Sequence, residues 1–193
     1  MSGVFQSLCQ TLSQGAWSET DIPSLQVPRW GAAAAIVQDS VWISGGWMNA
    51  YLQSTEVWSG TGSTWTEGAT LPTGMDHVCL LTLSSGALFL HAGRGTYTSD
   101  NQKTWDRVAT VDTWMPGTAC AELSQDIWLV HGSATRIFSI SSKSWSTGPS
   151  ISSSPRHGSL VGYANTLLHV GGVGKNEIWQ LDTSRTAWTK VIY

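Results

Sequence analysis

The chain has 193 residues, of which only 12% are charged, and its formal net charge at pH 7 is -3. This length can bury a sizeable core without a metal or disulfide and makes one domain the default. Ten basic against thirteen acidic residues leave no basic stripe for phosphates, which argues against nucleic acid and against an anionic membrane surface as partners. Apolar runs also fall short of the roughly 18 residues of a membrane span.

Residues 1–14 have neither a charged start nor a continuous apolar core, so they do not resemble a secretory signal. The sequence contains no Asn-x-Ser/Thr acceptor, and its three cysteines have no metal-like spacing and form no readable disulfide framework. These features leave the compartment unknown but favour the cytoplasm.

Twelve tryptophans are present, and five of them recur at steps of 48, 40, 40 and 43 residues. Glycines that close apolar runs keep nearly the same period, with steps of 47, 39 and 40 residues from Gly46 to Gly172. Proline-containing segments, such as Pro28-Arg29 and Pro155-Arg156-His157, follow the tryptophans at 10 to 12 residues. Three landmarks with one period predict a repeat of four short strands, which is the signature of a β-propeller blade. The recurring tryptophans are Trp17, Trp65, Trp105, Trp145 and Trp188, and the glycines are Gly45, Gly46, Gly93, Gly132, Gly171 and Gly172.

In chain order, residues 1–27 are predicted to form a partial blade, with a fourth strand from Trp17 onward and a third strand over residues 6–10. A short amphipathic helix over residues 4–12 is the alternative for that segment. Four complete units follow, each with four strands bounded by Gly, Ser, Asn and Asp turns. These units cover about residues 28–71, 72–115, 116–154 and 155–193.

The repeated units resemble kelch repeats: Pro-Arg precedes the first strand, Gly-Gly closes the second, and Trp begins the fourth. The unit from Pro155 matches this pattern best and the unit from Arg29 also matches well, whereas the two middle units lack the arginine and one glycine. The resemblance covers about residues 17–193 and implies an all-β propeller that serves as a protein-binding scaffold. Residues 98–105 also resemble the Asp-box, a structural turn of sialidase-like propellers.

Four complete blades and a partial one raise the question of ring closure. The resemblance implies five to seven blades, and an open arc would leave two apolar blade faces in water. We therefore expect part of a larger ring; a strained four-blade ring with a redundant N-terminal strand and assembly between chains are the alternatives.

Most of the repeated residues are expected to be structural. The recurring tryptophans should pack between blades, and the glycines should allow the chain to turn at the end of the second strand. Arg29 and Arg156 should hydrogen-bond backbone carbonyls near the axis, and His77 and His157 occupy equivalent positions with the same structural interpretation. Cys79 and Cys120 also occupy equivalent first-strand positions. A disulfide between them is conceivable, but buried thiols are commoner, so we expect thiols.

One face of the predicted propeller collects residues that the repeat does not require. An antiparallel meander places the loops between second and third strands on the same side as the links between blades. Aromatic, Met and Arg residues on such loops are typical of binding hot spots, although capping of the ring would also explain them. The candidates are Trp30, Trp47, Met48, Tyr51, Arg94, Trp114, Met115 and Lys175, with Asn49 and Asn176 beside them.

No motif for nucleophilic, phosphate-binding or metal-dependent chemistry can be assigned. We therefore predict a non-catalytic scaffold with no cofactor and no metal, which binds a protein partner through that face. A carbohydrate-binding or degenerate glycosidase-like propeller is the alternative, because exposed tryptophans suit sugar stacking. The third hypothesis is a piece of a larger kelch protein without a function of its own, and self-association is expected if the ring is incomplete.

Overall fold

The computed structural model describes residues 9–18, 21–113, 115, 117–153 and 156–191, and the described residues contain strands and turns but no helix. A two-stranded sheet comes first, with β1 at Thr11–Ser13 and β2 at Ala16–Ser18. Blade 1 comprises β3 (Ala33–Val37), β4 (Ser40–Ser44), β5 (Thr55–Trp58) and β6 (Thr66–Glu67). Blade 2 comprises β7 (Cys79–Thr82), β8 (Leu88–Ala92), β9 (Gly95–Ser99) and β10 (Asp106–Thr110).

Blade 3 comprises β11 (Ala119–Leu123), β12 (Asp126–His131), β13 (Ala134–Ser139) and β14 (Ser144–Thr147). Blade 4 comprises β15 (Ser159–Tyr163), β16 (Thr166–Val170), β17 (Ile178–Leu181) and β18 (Trp188–Val191). In each blade consecutive strands pair antiparallel in sequence order. The predicted all-β fold is confirmed: four four-stranded sheets form a four-blade β-propeller.

The first strand of each blade lies nearest the axis. Strand β3 packs against β7, β7 against β11, and β11 against β15. Strands β15 and β3, which would complete the circle, do not pack against each other to a comparable extent. We call the junction between blades 4 and 1 the seam.

The three other junctions are filled by apolar side chains that alternate along the strands. Blade 1 places Trp42 against Leu88 of blade 2, and blade 2 places Phe89 against Phe138 of blade 3. Blade 3 in turn places Trp128 against a cluster in blade 4. All of these side chains are at most 4% exposed, so each junction forms a dry layer of core.

The pairing of Cys79 with Cys120 corrects a prediction. They form a disulfide across the junction of blades 2 and 3, with Cα atoms 5.9 Å apart, instead of two buried thiols. The repeat explains the correction, since equivalent positions on adjacent innermost strands bring the two sulfur atoms into reach.

The N-terminal segment also differs from the prediction. Gln14 and Gly15 both have positive φ, 52° and 82°, as a two-residue type I′ hairpin turn requires. The resulting hairpin places a strand at Thr11–Ser13, residues 9 and 10 lie outside it, and residues 11 and 12 are not helical. The rest of both alternatives falls largely on residues 1–8, outside the described residues.

Four of the five recurring tryptophans lie against the structure that precedes their own blade. Trp105 packs on the core between blades 1 and 2, and Trp145 contacts His91 of blade 2. The Nε1 of Trp188 donates to Thr135 Oγ1 of blade 3, and the Nε1 of Trp65 donates to Pro23 O at 2.7 Å. Trp17 was predicted to pack between blades, but in the two-stranded hairpin it is 66% exposed.

Candidate functional site

The links that lead into the four blades meet around the axis. At equivalent positions they carry Gly31, His77, Gly117 and His157, all with positive φ: 65°, 50°, 69° and 56°. The backbone N–H of His77 donates to the carbonyl of Gly31 at 2.6 Å, and that of His157 donates to the carbonyl of Gly117 at 3.3 Å. Glycine and histidine therefore alternate around the ring.

The alternation has a steric basis. A Cβ added at Gly31 would lie 2.9 Å from Cε1 of His77, and one at Gly117 would lie 2.4 Å from Cε1 of His157. Each imidazole thus occupies the space that a side chain on the preceding link would need. The two imidazoles meet edge to face, with ring centroids 4.4 Å apart, and join the links of blades 2 and 4.

Charges around this histidine pair are unequal. The Asp76 carboxylate lies 3.0 Å from Nδ1 of His77, whereas the charged side chain that acts on His157 from the same blade is Arg156. Partial burial, followed by repulsion from His77 and from Arg156, lowers the pKa of His157, while Asp76 opposes these effects. The charged form of His157 is therefore disfavoured.

Three aromatic side chains of blade 1 continue the surface outward from the histidines. Backbone hydrogen bonds join Trp30 and Trp47 in both directions, at 3.3 and 2.9 Å. Tyr51 contacts Trp47 edge to face at 4.8 Å, and Trp30 contacts His77 at 5.4 Å. Trp30 is 48% exposed and Tyr51 57%. We call these five residues (Trp30, Trp47, Tyr51, His77 and His157) the aromatic patch.

The two glycines that close β4 hold this patch in place. Gly45 and Gly46 have φ of 68° and 97°, and a Cβ at Gly46 would lie 2.9 Å from the Trp30 carbonyl. The N–H of Gly46 donates to the Met75 carbonyl at 2.8 Å. Side chains here would separate the Trp30 and Trp47 backbones, so the glycines bring the aromatic residues together.

Buried contacts of Arg29 stabilise the backbone beside the aromatic patch. Its guanidinium donates to the carbonyls of Gly45 and Ser54 at 2.8 and 3.0 Å and pairs with Glu56 Oε1 at 2.5 Å. Arg29 and Glu56 are 7% and 3% exposed, and Arg29 is therefore a structural residue. Arg156, the equivalent residue of blade 4, is exposed.

The other predicted face residues are scattered. Met48 is half-buried beside the patch, Arg94 is exposed at the turn between β8 and β9, and Lys175 is exposed between β16 and β17. Met115 is only 3% exposed within the core of blades 2 and 3, so its assignment to the contact surface is wrong. Trp114 lies outside the described residues.

On the opposite face, side chains cap the turns between the third and fourth strands of blades 2 and 4. Asn101 Oδ1 accepts from the backbone N–H groups of Lys103 and Thr104 at 2.8 and 3.0 Å. Asp182 Oδ1 accepts from Thr186 and Ala187 in the equivalent turn of blade 4. The Asp-box-like segment is thus a turn between third and fourth strands, with Asn101 rather than Asp100 as the acceptor.

Sequence reasoning missed the histidine pair as a part of this surface, although it recognised His77 and His157 as equivalent. The signal that could have revealed it is the glycine at the same position of blades 1 and 3.

Among the described residues, no cluster of three or more His, Cys, Asp or Glu side chains could hold a metal ion. The described part of the chain also has no helix long and apolar enough to cross a membrane. No family model matches the chain, and no curated protein matches it either.

Proposed function

We propose that the chain is a kelch-type propeller scaffold that binds a protein partner through the aromatic patch and catalyses no reaction. The observation that carries the proposal is the clustering of Trp30, Trp47 and Tyr51, two of them about half exposed, on one face of the propeller. Exposed aromatic side chains beside a buried framework are typical of binding hot spots.

The kelch assignment rests on the positions that carry the resemblance. Gly45-Gly46 and Gly171-Gly172 follow the second strands of blades 1 and 4, and Trp188 begins the fourth strand of blade 4. The guanidinium of Arg29 donates a hydrogen bond to the carbonyl of Gly45. The Pro-Arg and Gly-Gly elements of blade 1 are therefore in direct contact.

Affinity purification with the double variant Trp30→Ala/Tyr51→Ala tests the proposal. Trp17→Ala is the matched control, because Trp17 is an exposed tryptophan outside the patch. Proteins retained by wild type and Trp17→Ala should be lost from the double variant, and titration with one purified partner should show at least about tenfold weaker binding, as truncation of a hot spot predicts. Equal retention by all three proteins would rule out the patch as the contact surface.

Carbohydrate binding is the second candidate, favoured by the 48% exposed indole of Trp30. A glycan array discriminates between the two functions. Binding to a glycan that disappears with Trp30→Ala supports the carbohydrate alternative, whereas an array without signal leaves the protein partner.

A further inference from the structure

Every interior junction of the propeller joins two different sheet faces. We call the face of a blade that meets the next blade its forward face, and the face that meets the preceding blade its backward face. Phe89, for example, lies on the forward face of blade 2 and packs on Phe138 of the backward face of blade 3. At the seam, the described residues present one forward and one backward face that do not pack on each other to the extent seen at the other junctions.

The free forward face belongs to blade 4. In its strand register Val161 lies opposite Leu168, and Val170 lies opposite Ile178, so these four side chains share one face. Leu160 and Leu167 lie on the other face, packed against blade 3. On the free face, Val161 is 49%, Tyr163 62% and Val170 39% exposed.

The free backward face belongs to blade 1. Ile36 lies opposite Val41, and Ala34 opposite Ile43. Ile36 is 68% exposed, Ala34 is exposed, and the other two are half-buried.

Among the described residues, a segment before blade 1 covers the outer part of this backward face. The backbone N–H groups of Gln26 and Val27 donate to the two carboxylate oxygens of Glu56 at 2.7 and 3.1 Å. The side-chain amide of Gln26 also donates to the Trp65 carbonyl at 2.6 Å. Residues 23–27 therefore take the place of a preceding blade over β5 and β6, while the part formed by β3 and β4 stays open to solvent.

The two open faces fit each other in character. The open parts carry Ala, Val, Ile, Leu and Tyr, together with the polar residues Ser159 and Gln180, and no charged side chain. They therefore neither repel each other nor select a charged partner. Contiguous exposed apolar surface of this kind marks an interaction site. Since forward faces of this chain pack on backward faces at three junctions, the occupant that matches each open face is the other open face.

We propose that the chain self-associates head to tail at the seam, with the forward face of blade 4 of one copy packed on the backward face of blade 1 of a second copy. The contact is heterologous, so it closes into a ring of copies or extends into a filament. This inference is independent of the proposed function of the aromatic patch.

Sedimentation velocity from low to several hundred micromolar protein tests the proposal. Wild type should shift from monomer to larger species as the concentration rises. Ile36→Asp and Val161→Asp each place a carboxylate in one half of the contact, and each should weaken self-association at least about a hundredfold. Leu12→Asp is the matched control, because Leu12 is 58% exposed on the hairpin, and it should associate as wild type does.

A mixture of the two variants makes the test specific for the head-to-tail arrangement. Ile36→Asp retains an intact blade 4 face and Val161→Asp an intact blade 1 face, so the mixture should form a one-to-one dimer that grows no further. Near-ultraviolet circular dichroism should show that both variants fold. A monomeric wild type at the highest concentration, variants that associate as wild type does, or a mixture that stays monomeric would each overturn the proposal.

Discussion

The junction of blades 2 and 3 and the seam between blades 4 and 1 are built from strands of the same repeat, yet only the first is dry. Phe89 and Phe138 are at most 1% exposed, and the Cys79–Cys120 disulfide joins the innermost strands beside them. At the seam, Ile36 and Tyr163 are more than 60% exposed. The comparison teaches that an apolar strand pattern predicts a face that can be buried, whereas burial depends on whether a complementary face is within reach.

The largest difference between the two regions should appear on truncation. Phe89→Ala removes a fully buried ring and should lower the free energy of unfolding by about 4 kcal/mol. Ile36→Ala, measured at a dilution where the chain is monomeric, should lower it by less than about 0.5 kcal/mol. Denaturant unfolding followed by tryptophan fluorescence measures both, and similar losses would mean that the seam is as well packed as the junction.

Removing the disulfide should weaken the same junction somewhat less. The bridge closes a loop with a sequence separation of 41 residues, so the double variant Cys79→Ser/Cys120→Ser should lose between about 2 and 4 kcal/mol of unfolding free energy. Thermal unfolding of wild type with and without a dithiol reductant checks the result. If reductant lowers the melting temperature of wild type no more than that of the double variant, the two cysteines are not bridged.

The pH dependence of this junction follows from one buried histidine. Burial lowers the pKa of His91 to about 4 from an ordinary value of 6.5. Below pH 6.5 the unfolded chain therefore binds a proton at His91, while the native chain keeps this side chain neutral. The contribution of the neutral His91 to the free energy of unfolding is complete above pH 6.5 and is lost as the pH falls toward 4. The loss should reach about 3 kcal/mol.

His91→Asn should reduce the slope between pH 6.5 and 5 in denaturant unfolding, and the remaining slope should come from His169 and His157, whose pKa values burial also lowers. Asn keeps a polar atom near the place of Nδ1, which lies 3.3 Å from Thr96 Oγ1. His157→Asn is the control on the exposed aromatic patch and should keep most of the slope. Equal slopes in wild type and His91→Asn would show that another group causes the acid sensitivity.

The sequence predicted the four sheets because each one depends on local signals: alternating apolar residues, turn residues and a period near 40. It could not predict the exposure of Trp17 or the burial of Met115, because these depend on which neighbour a face finds. The disulfide lay between these cases. Equivalent positions placed Cys79 and Cys120 on adjacent strands. Only the structure shows that their Cα atoms lie 5.9 Å apart and that the two residues are bonded.

The candidate site was partly predictable for the same reason. Trp30, Trp47 and Tyr51 stood out because the repeat does not require them, and the structure brings them together through the Gly45-Gly46 turn. Arg94 and Lys175 stood out equally, but they lie on other blades. The contact between His77 and His157 could not be predicted, because it depends on how close the links lie to the axis. The spacing of residues along the chain does not give that distance.

The alternating links at the axis carry a consequence for how such a ring could gain or lose blades. Each imidazole occupies space that is free only because the link before it carries a glycine. Two successive blades, one with glycine and one with histidine, are therefore the smallest unit that preserves the packing at the axis. Insertion of one blade would place two imidazoles or two glycines on successive links. Two imidazoles would clash at the axis, and two glycines would leave a cavity there. Chains with this alternation of glycine and histidine should therefore gain or lose blades in even numbers.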